Sequence, residues 1–150
     1  MDTFLVPVTS HPGWARDVAT AATEIESPED AEGIVAHVFE DGEVESTRSN
    51  LELPADETAT LDELAARKSG VSTTVAELED AGIDARVRGV RAGDEPGDAI
   101  VSAAERAGVD RIYLYSRKRS PAGKAVFGST VQRVLLSASC PVVVLPYGAR

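Results

Sequence analysis

The stretch that decides the fold runs from Arg111 to Pro146 and reads RIYLYSRKRSPAGKAVFGSTVQRVLLSASCPVVVLP. It begins with an apolar strand pattern, continues through a basic loop that contains glycine, and returns through a helical pattern to a valine-rich strand. Parallel strands need a long crossover connection, and a helix usually supplies it. The stretch therefore predicts one parallel strand–helix–strand unit at the end of the chain.

The same alternation extends back to the start of the chain. Apolar runs predict strands at 3–9, 33–39, 83–90, 111–116 and 141–146, and three-to-four spacing predicts helices at 12–26, 61–81, 96–107 and from 129 onward. In the last helix we expect Val131, Val134, Leu135 and Ala138 to face inward. Strict alternation favours an α/β fold with a five-stranded parallel sheet between two helical layers, a three-layer α/β/α sandwich. Strand 83–90 alternates in polarity, which indicates a half-exposed edge strand.

We expect a single domain over residues 1–150, because the length suits one hydrophobic core. Residues 40–60 are acidic and hold few apolar side chains, so we predict a mobile loop there. No apolar run reaches membrane-spanning length, and a lone cysteine leaves no internal disulfide. These features favour a cytoplasmic protein without a membrane partner.

Charge is divided unevenly along the chain. The net charge is −10, but all 25 acidic residues lie in the first 110 residues, and the last 40 carry seven basic ones. An acidic body would repel phosphates in general, so nucleic acid is not an expected partner. Lysine occurs three times against twelve arginines, an acidic and lysine-poor composition that resembles proteins from salt-loving organisms. A merely acidic protein is the alternative.

The basic loop is the strongest candidate for a binding site. Arg117, Lys118, Arg119 and Lys124 precede Gly128-Ser129-Thr130, which is expected to open the last helix. A helix N-terminus presents unpaired N–H groups and a positive dipole end, so cations beside it suit a phosphate. The alternative is a solvated basic turn whose hydroxyl caps the helix.

Standard catalytic and nucleotide motifs are absent from the sequence. It contains no P-loop, no G-x-G-x-x-G after the first strand, no nucleophile elbow and no cluster of metal ligands. His37 lies inside the second strand, and because His11 is the only other histidine, we favour a structural or hydrogen-bonded histidine over a metal ligand. We therefore expect a binding protein without catalytic residues.

The sequence resembles the universal stress protein family over essentially its whole length. The resemblance rests on FLVPVTSH, AHVFE, the G-x-x-P turn at Gly93 to Pro96, RIYLYS and, most specifically, GSTVQRVLLSASCPVVVLP. It implies a Rossmann-like sheet of strand order 3-2-1-4-5. It also implies a homodimer that pairs through strand five, with Val142, Val143, Val144 and Leu145 in the interface.

The resemblance implies an adenine-nucleotide site at the carboxyl ends of the strands. The residues that it assigns to ATP or another adenine nucleotide are Pro7, Val8, Thr9, Val38, Tyr115, Arg117, Lys118, Arg119, Gly123, Lys124, Gly128, Ser129 and Thr130. Magnesium or manganese would arrive only with the phosphates.

The chain departs from the nucleotide-binding pattern of that family. The family motif is G-x2-G-x9-G-[ST]; here Gly128-Ser129 matches, while Tyr115 and Lys118 stand at the first two glycine positions. Thr9 stands where the family has an acidic residue. Basic side chains in the loop would then hold phosphates by charge in place of backbone N–H groups. The alternatives are a ligand-free dimeric interaction module and a slow ATP hydrolase, for which Asp94 is the one carboxylate we can name.

Overall fold

The computed structural model describes residues 1–8, 12–50, 60–116, 118–119 and 125–146, with the backbone alone at residues 12, 118, 119, 125 and 126. The described strands are β1 (Asp2–Val8), β2 (Ala31–Phe39), β3 (Asp84–Arg91), β4 (Arg111–Ser116), β5 (Lys118–Arg119), β6 (Ala125–Val126) and β7 (Val142–Pro146). The described helices are α1 (Pro12–Ile25), α2 (Glu43–Asn50), α3 (Leu61–Ala66), α4 (Ser69–Asp80), α5 (Pro96–Ala107) and α6 (Ser129–Ser137).

Five of these strands form one parallel sheet in the order β3-β2-β1-β4-β7. Counting only the strands of this sheet, the order is 3-2-1-4-5, as the family resemblance implied, and β3 lies at an edge, as its alternating polarity indicated. The register is continuous from Asp2 opposite Ala31 to Val8 opposite His37. The carboxyl ends of β1, β2 and β4 therefore meet at one edge of the sheet, where the strand order reverses.

Each face of the sheet is covered by its own core. On one face Phe4, Val6, Val35 and Tyr113 pack with residues of α1 and α4, and on the other Leu5, Ile34 and Ile112 pack with residues of α5 and α6. Side chains alternate between the faces of a strand, so runs such as FLV in β1 supply both cores at once. This is why the central strands have no polar face.

The predicted loop at 40–60 is wrong in its first half, because residues 43–50 form α2. Val44 and Thr47 are buried, and Val44 packs with Phe39 and Leu64 in a small third core. The buried side chains of Val44 and Thr47 hold this short helix against its neighbours, although its overall composition is polar. The expected loop residues 51–59 lie outside the described part of the chain.

The helix predicted over 61–81 is two helices, α3 and α4. Arg67 ends α3, and Lys68 has extended backbone dihedrals (φ −75°, ψ 137°) as the N-cap of α4. Thr60 caps α3 by accepting a hydrogen bond from the N–H of Glu63. The break lets α3 lie against β3 while α4 packs along α1. The sequence period continues through the break, so it gave no sign of the turn.

Two glycines permit close backbone packing. A Cβ atom on Gly89 would lie 2.3 Å from the carbonyl oxygen of Leu61, and one on Gly97 would lie 2.5 Å from Cβ of Arg133. Both distances are shorter than any tolerable contact, so only glycine lets α3 approach β3 and α6 approach α5. The N–H of Gly89 also donates to Asp62 Oδ1 at 2.7 Å. These contacts hold the helices that flank the carboxyl edge of the sheet.

A buried carboxylate marks the opposite, amino-terminal edge. Glu26 accepts two hydrogen bonds of 2.6 Å from the guanidinium of Arg111 and a further short one from the hydroxyl of Tyr113. Its side chain is 2% exposed, and Arg111 also pairs with Asp2 at 3.0 Å. The cluster links the end of α1 to β4, far from the carboxyl ends of the strands, where the strand order reverses.

The predicted inner face of α6 needs one correction. Leu135, expected on the inner face of α6, is 39% exposed, whereas Val131 and Val134 are buried and Ala138 packs partly against the core. The inner stripe of α6 is thus narrower than its composition suggested.

Among the described helices, none combines the length and the apolar character needed to cross a membrane.

Candidate functional site

A cavity of about 420 Å³ opens at the carboxyl edge of the sheet, where the strand order reverses. The ends of β1, β2 and β4 form its floor, and α1, α5 and α6 form its walls. Its described lining is Pro7, Val8, Trp14, Ala15, Val18, His37, Val38, Glu40, Glu43, Pro96, Ile100, Leu114, Tyr115, Gly128, Ser129, Thr130 and Val131. The volume lies in the range of small-molecule sites.

Outside the basic loop, every predicted site residue that the structure describes lies in the lining of this cavity. Pro7, Val8, Val38, Tyr115, Gly128, Ser129 and Thr130 all line the one cavity. Thr9, Arg117, Gly123 and Lys124 lie outside the described residues. For Lys118 and Arg119 the backbone is described, and it forms β5.

Two short strands of the basic loop, β5 and β6, pair with each other between β4 and α6. Lys118 pairs with Val126 and Arg119 with Ala125 in a short antiparallel ladder. The sequence analysis did not foresee this hairpin, since two-residue strands leave no periodic pattern. The ladder sets the start and the end of the loop beside each other, next to the N-terminus of α6.

The N-terminus of α6 has no side-chain cap among the described residues. Gly128 is the N-cap (φ −69°, ψ 169°), and Ser129 and Thr130 are the first helical residues. The hydroxyl cap considered from the sequence is therefore wrong. First-turn N–H groups have no partners within their own helix. At α6 these groups belong to residues that line the cavity, so a bound anion has donors available there.

An aromatic pair forms one wall of the cavity. The rings of Trp14 and Tyr115 are stacked, with centroids 5.6 Å apart and planes inclined by 17°. Trp14 comes from the first turns of α1, and Tyr115 comes from the end of β4, at a position where the family motif has glycine. Tyr115, which departs from the family motif, thus forms an aromatic wall of the cavity together with Trp14.

Three polar side chains form a network at the β2 end of the cavity. His37 Nε2 lies 2.5 Å from Glu43 Oε2, and Lys68 Nζ lies 2.8 Å from the same oxygen. Lys68 also stands over the ring of Phe39, 5.7 Å from its centroid. The network joins β2 to α2 and to the N-terminus of α4, and it brings the Glu43 carboxylate into the cavity lining.

Burial and pairing set the charges of this network. Burial lowers the pKa of His37 and outweighs the opposing effect of Glu43, so the imidazole is neutral at neutral pH. Partial burial opposes ionisation of Glu43, but hydrogen bonds from Lys68, the Glu40 N–H and His37 bring its pKa down to about 2. A neutral imidazole beside an ionised carboxylate must donate through Nε2, which leaves Nδ1 as an acceptor. That Nδ1 atom is buried without a hydrogen-bond partner among the described residues.

Sequence reasoning missed the acidic and aromatic parts of the cavity. It interpreted His37 as a hydrogen-bonded histidine, which the contact with Glu43 confirms. It assigned Glu40 and Glu43 to a loop, and it placed Trp14 in the predicted helix 12–26 without a role in the site. The six-residue spacing of His37 and Glu43 across a strand end was the available signal, but it becomes a contact only because α2 folds back over β2. Among the described residues, no three His, Cys, Asp or Glu side chains gather to hold a metal ion.

The family model described as the universal stress protein family matches residues 1–146. The chain belongs to the universal stress protein family. No curated protein has a significant sequence match to this family member. Among solved structures, a universal stress protein from Archaeoglobus fulgidus shares 25% identity at a TM-score of 0.69, covering 96% of this chain and 98% of that one.

Two further universal stress protein structures contain nucleotides. One, from Archaeoglobus fulgidus, is in complex with dAMP, with 21% identity, a TM-score of 0.66 and coverage of 96% and 97% of the two chains. The other is in complex with cAMP, with 18% identity, a TM-score of 0.65 and coverage of 98% of each chain. At these identities the likeness shows the shared fold.

Proposed function

We propose that this universal stress protein binds an adenine nucleotide, ATP or a related one, in the cavity at the carboxyl edge of the sheet. The observation that carries the proposal is the polarity of the cavity. Its β2 end holds the carboxylate of Glu43, which accepts hydrogen bonds, and its α6 end holds the uncapped helix N-terminus, which donates them. A ligand with an amino-bearing base at one end and phosphate at the other fits this arrangement.

In this proposal each part of the ligand has its own partners. The base lies between β1 and β2 near Pro7, Thr9 and Val38. The phosphates meet Gly128, Ser129 and Thr130, with Arg117, Lys118, Arg119, Gly123 and Lys124 of the basic loop around them. Magnesium or manganese arrives with the phosphates. The dAMP and cAMP complexes of two relatives support an adenine nucleotide as the ligand class.

Trp14 makes the proposal directly testable. It is the single tryptophan of the chain, and it stacks on Tyr115 within the cavity. Adding ATP, dAMP or cAMP should therefore change its fluorescence in a saturable way. A response to inorganic phosphate alone at equal concentration, or no response to any nucleotide with unchanged melting temperature, would contradict an adenine-nucleotide site.

The basic loop gives the second test. Replacing Arg117, Lys118, Arg119 and Lys124 together by alanine should weaken ATP binding strongly and flatten its salt dependence, because fewer charge contacts remain. A variant with Arg16→Ala and Arg67→Ala changes charge elsewhere on the surface and should keep its affinity. Glu45→Gln, on the exposed side of α2, should also be silent. Unchanged affinity in the four-alanine variant would exclude the loop as the phosphate site.

Two other functions remain as alternatives. A slow ATP hydrolase would need a carboxylate near the phosphates, and Asp94, the candidate named from the sequence, is exposed and does not line the cavity. A ligand-free interaction module would purify without nucleotide. Mass spectrometry of gently purified protein separates the binding proposal from the second alternative, and turnover with added Mg²⁺ separates it from the first.

We further propose a homodimer through β7. In the sheet, β7 is an edge strand, and Val142, Val143, Val144 and Leu145 are all only half-buried. The Ile112 N–H donates to the Pro141 carbonyl, so Val142 and Val144 direct their own N–H groups away from β4. Pairing with a second copy would satisfy these groups.

The faces of β7 change how the dimer must be tested. Val143 packs against one core and Val144 against the other, so a charge at either position would damage folding. Val144→Pro removes one outward N–H and should give monomers in sedimentation at micromolar concentration. Val144→Ala loses the side chain but keeps the N–H, and it should remain dimeric. A monomeric unmodified chain at low and high salt would exclude this dimer.

The acidic, lysine-poor composition supports a proposal about the environment. We propose that the protein works in a cytoplasm of high salt, where screening removes repulsion among its carboxylates. The free energy of unfolding should then rise as KCl is increased from about 0.1 M, where the screening length is about 10 Å, to about 1 M, where it is about 3 Å. A falling free energy over that range would contradict it.

A further inference from the structure

A second cavity lies along the edge strand β3, with α5 on one face of the sheet and Leu61 of α3 on the other. Its volume is about 650 Å³, and its described lining is Leu5, Ile34, Ala36, Leu61, Arg86, Arg88, Gly89, Val90, Arg91, Ala103, Arg106 and Ala107. It shares no described lining residue with the first cavity. The two are therefore separate sites on the same domain.

The charge of this cavity is unusual for the part of the chain in which it lies. Residues 1–110 contain 25 acidic side chains and eight basic ones, and four of those eight line this cavity. Its described lining contains no Asp or Glu. The first cavity shows the reverse, with Glu40 and Glu43 and no lysine or arginine in its described lining. A set of arginines gathered within an acidic body indicates a site for an anion.

Carboxylates neutralise only part of this arginine set. Arg86 pairs with Glu32 at 3.1 Å, and Arg88 lies 3.8 Å from Asp62, which already accepts from the Gly89 N–H. Arg106 donates to the Ser102 hydroxyl, a neutral partner. Arg91 has neither a hydrogen bond nor an ion pair with any described residue. The guanidinium groups of Arg91 and Arg106 therefore have no carboxylate partner among the described residues.

The floor of the cavity is apolar. Leu5, Ile34 and Ala36 belong to the core on this face, and Val90 packs partly against it. Alanines 103 and 107 of α5 form the opposite wall. These small side chains leave space between α5 and the strand edge that larger residues would fill. An apolar floor beneath guanidinium groups suits a ligand that has an apolar body and an anionic head.

We propose that this cavity binds a small amphipathic anion, a phosphate or carboxylate attached to an alkyl or aryl body. Guanidinium groups hold carboxylate or phosphate oxygens through paired N–H donors. The apolar body lies on the floor between β2, β3 and α5. A volume of about 650 Å³ suits a free small molecule.

Decyl phosphate below its micelle concentration is a suitable probe, with decanol and inorganic phosphate as its two halves. Amide NMR should show saturable shifts at Gly89, Val90 and Ala103 with decyl phosphate. Decanol and phosphate should each bind at least tenfold more weakly. An equal affinity for either half would overturn the amphipathic assignment, and so would binding to anionic lipid vesicles without any response to soluble decyl phosphate.

Matched variants locate the site. Arg91→Ala with Arg106→Ala should weaken decyl phosphate binding at least tenfold, whereas Arg16→Ala with Arg67→Ala, which removes equal charge elsewhere, should change it less than twofold. Ala103→Phe fills the cavity without changing charge and should abolish binding, with the fold checked by circular dichroism. Equal losses in both arginine pairs would overturn the proposal. Displacement of decyl phosphate by excess ATP would do the same, since the two cavities are separate.

Discussion

His37 Nε2 lies 2.5 Å from Glu43 Oε2, and this contact joins the second strand of the sheet to the short helix α2. The imidazole is 3% exposed, and the carboxylate also accepts from Lys68 at 2.8 Å. The pair lies at the β2 end of the cavity at the carboxyl edge of the sheet. Two predictions about acid stability follow from the different pKa shifts of its members.

The first prediction concerns His37. Burial lowers its pKa below 6.5, so below that pH the unfolded chain takes up a proton that the folded chain refuses. The stability that the neutral imidazole contributes is complete above pH 6.5 and is lost as the pH falls toward the folded pKa, by at most about 1.4 kcal/mol per pH unit. In His37→Gln this loss should vanish. Urea unfolding at several pH values from 7.5 to 5.5 measures it, and a constant difference between the two proteins would contradict it.

The second prediction concerns Glu43, whose pKa is lowered to about 2. Its contribution to stability is present above its usual pKa of 4.5 and is lost as the pH falls from there to about 2. Glu43→Gln should be less stable at pH 7 and less sensitive to acid between those values. Glu45→Gln on the exposed side of α2 serves as the control. Parallel acid-unfolding curves for the Glu43→Gln and unmodified proteins would count against this role.

The third prediction compares a buried ion pair with an exposed one. Arg111→Ala leaves the carboxylate of Glu26, 2% exposed, without its guanidinium partner, and we expect a loss of about 3–5 kcal/mol. Arg16→Ala removes a pair with Glu77 at 3.7 Å whose side chains are 65% and 38% exposed, and we expect less than about 0.5 kcal/mol. Chemical denaturation measures both. Similar losses in the two variants would contradict this ranking.

The fourth prediction tests the approach of α5 to α6. Gly97→Ala places a methyl group 2.5 Å from Cβ of Arg133 and 3.1 Å from the carbonyl oxygen of Thr130. The helices must separate, at a cost of about 1–3 kcal/mol, and the α6 N-terminus must shift with them. Gly128→Ala is the control, since no atom lies within 4 Å of its added Cβ. Thermal unfolding should show a clear loss in the first variant only, and an unchanged melting temperature for Gly97→Ala would refute the packing argument.

The sheet could be predicted from the sequence because its signals are local and repeated. Apolar runs such as 33–39 and 111–116 report burial on both faces, and Gly108 (φ 65°) ends α5 where the pattern stops. Helix α2 could not be predicted, because its composition is polar and its stability comes from contacts of Val44 with residues distant in sequence. The break at Lys68 was hidden for a different reason, because the apolar period continues through it.

The candidate site was only partly visible in the sequence. The rule that ligands bind where the strand order reverses indicates the loops after the first and fourth strands, and the family resemblance supplied the individual residues, from Pro7 to Thr130. Its side chains meet through tertiary contacts: Trp14 reaches Tyr115 across α1 and β4, and Glu43 reaches His37 only when α2 folds back. A sequence motif records residues near one another along the chain, and these pairs are not.

The packing of α3 against β3 limits how this protein can polymerise. The outward N–H of Gly89 is taken by Asp62, and the outward carbonyl of Val87 accepts from Arg88 Nη1 at 2.9 Å. Two of the outward backbone groups of β3 are thereby occupied, and β7 forms the other edge of the sheet. Under the proposed pairing through β7 the contact is isologous, so it closes at two subunits and does not propagate into a fibre.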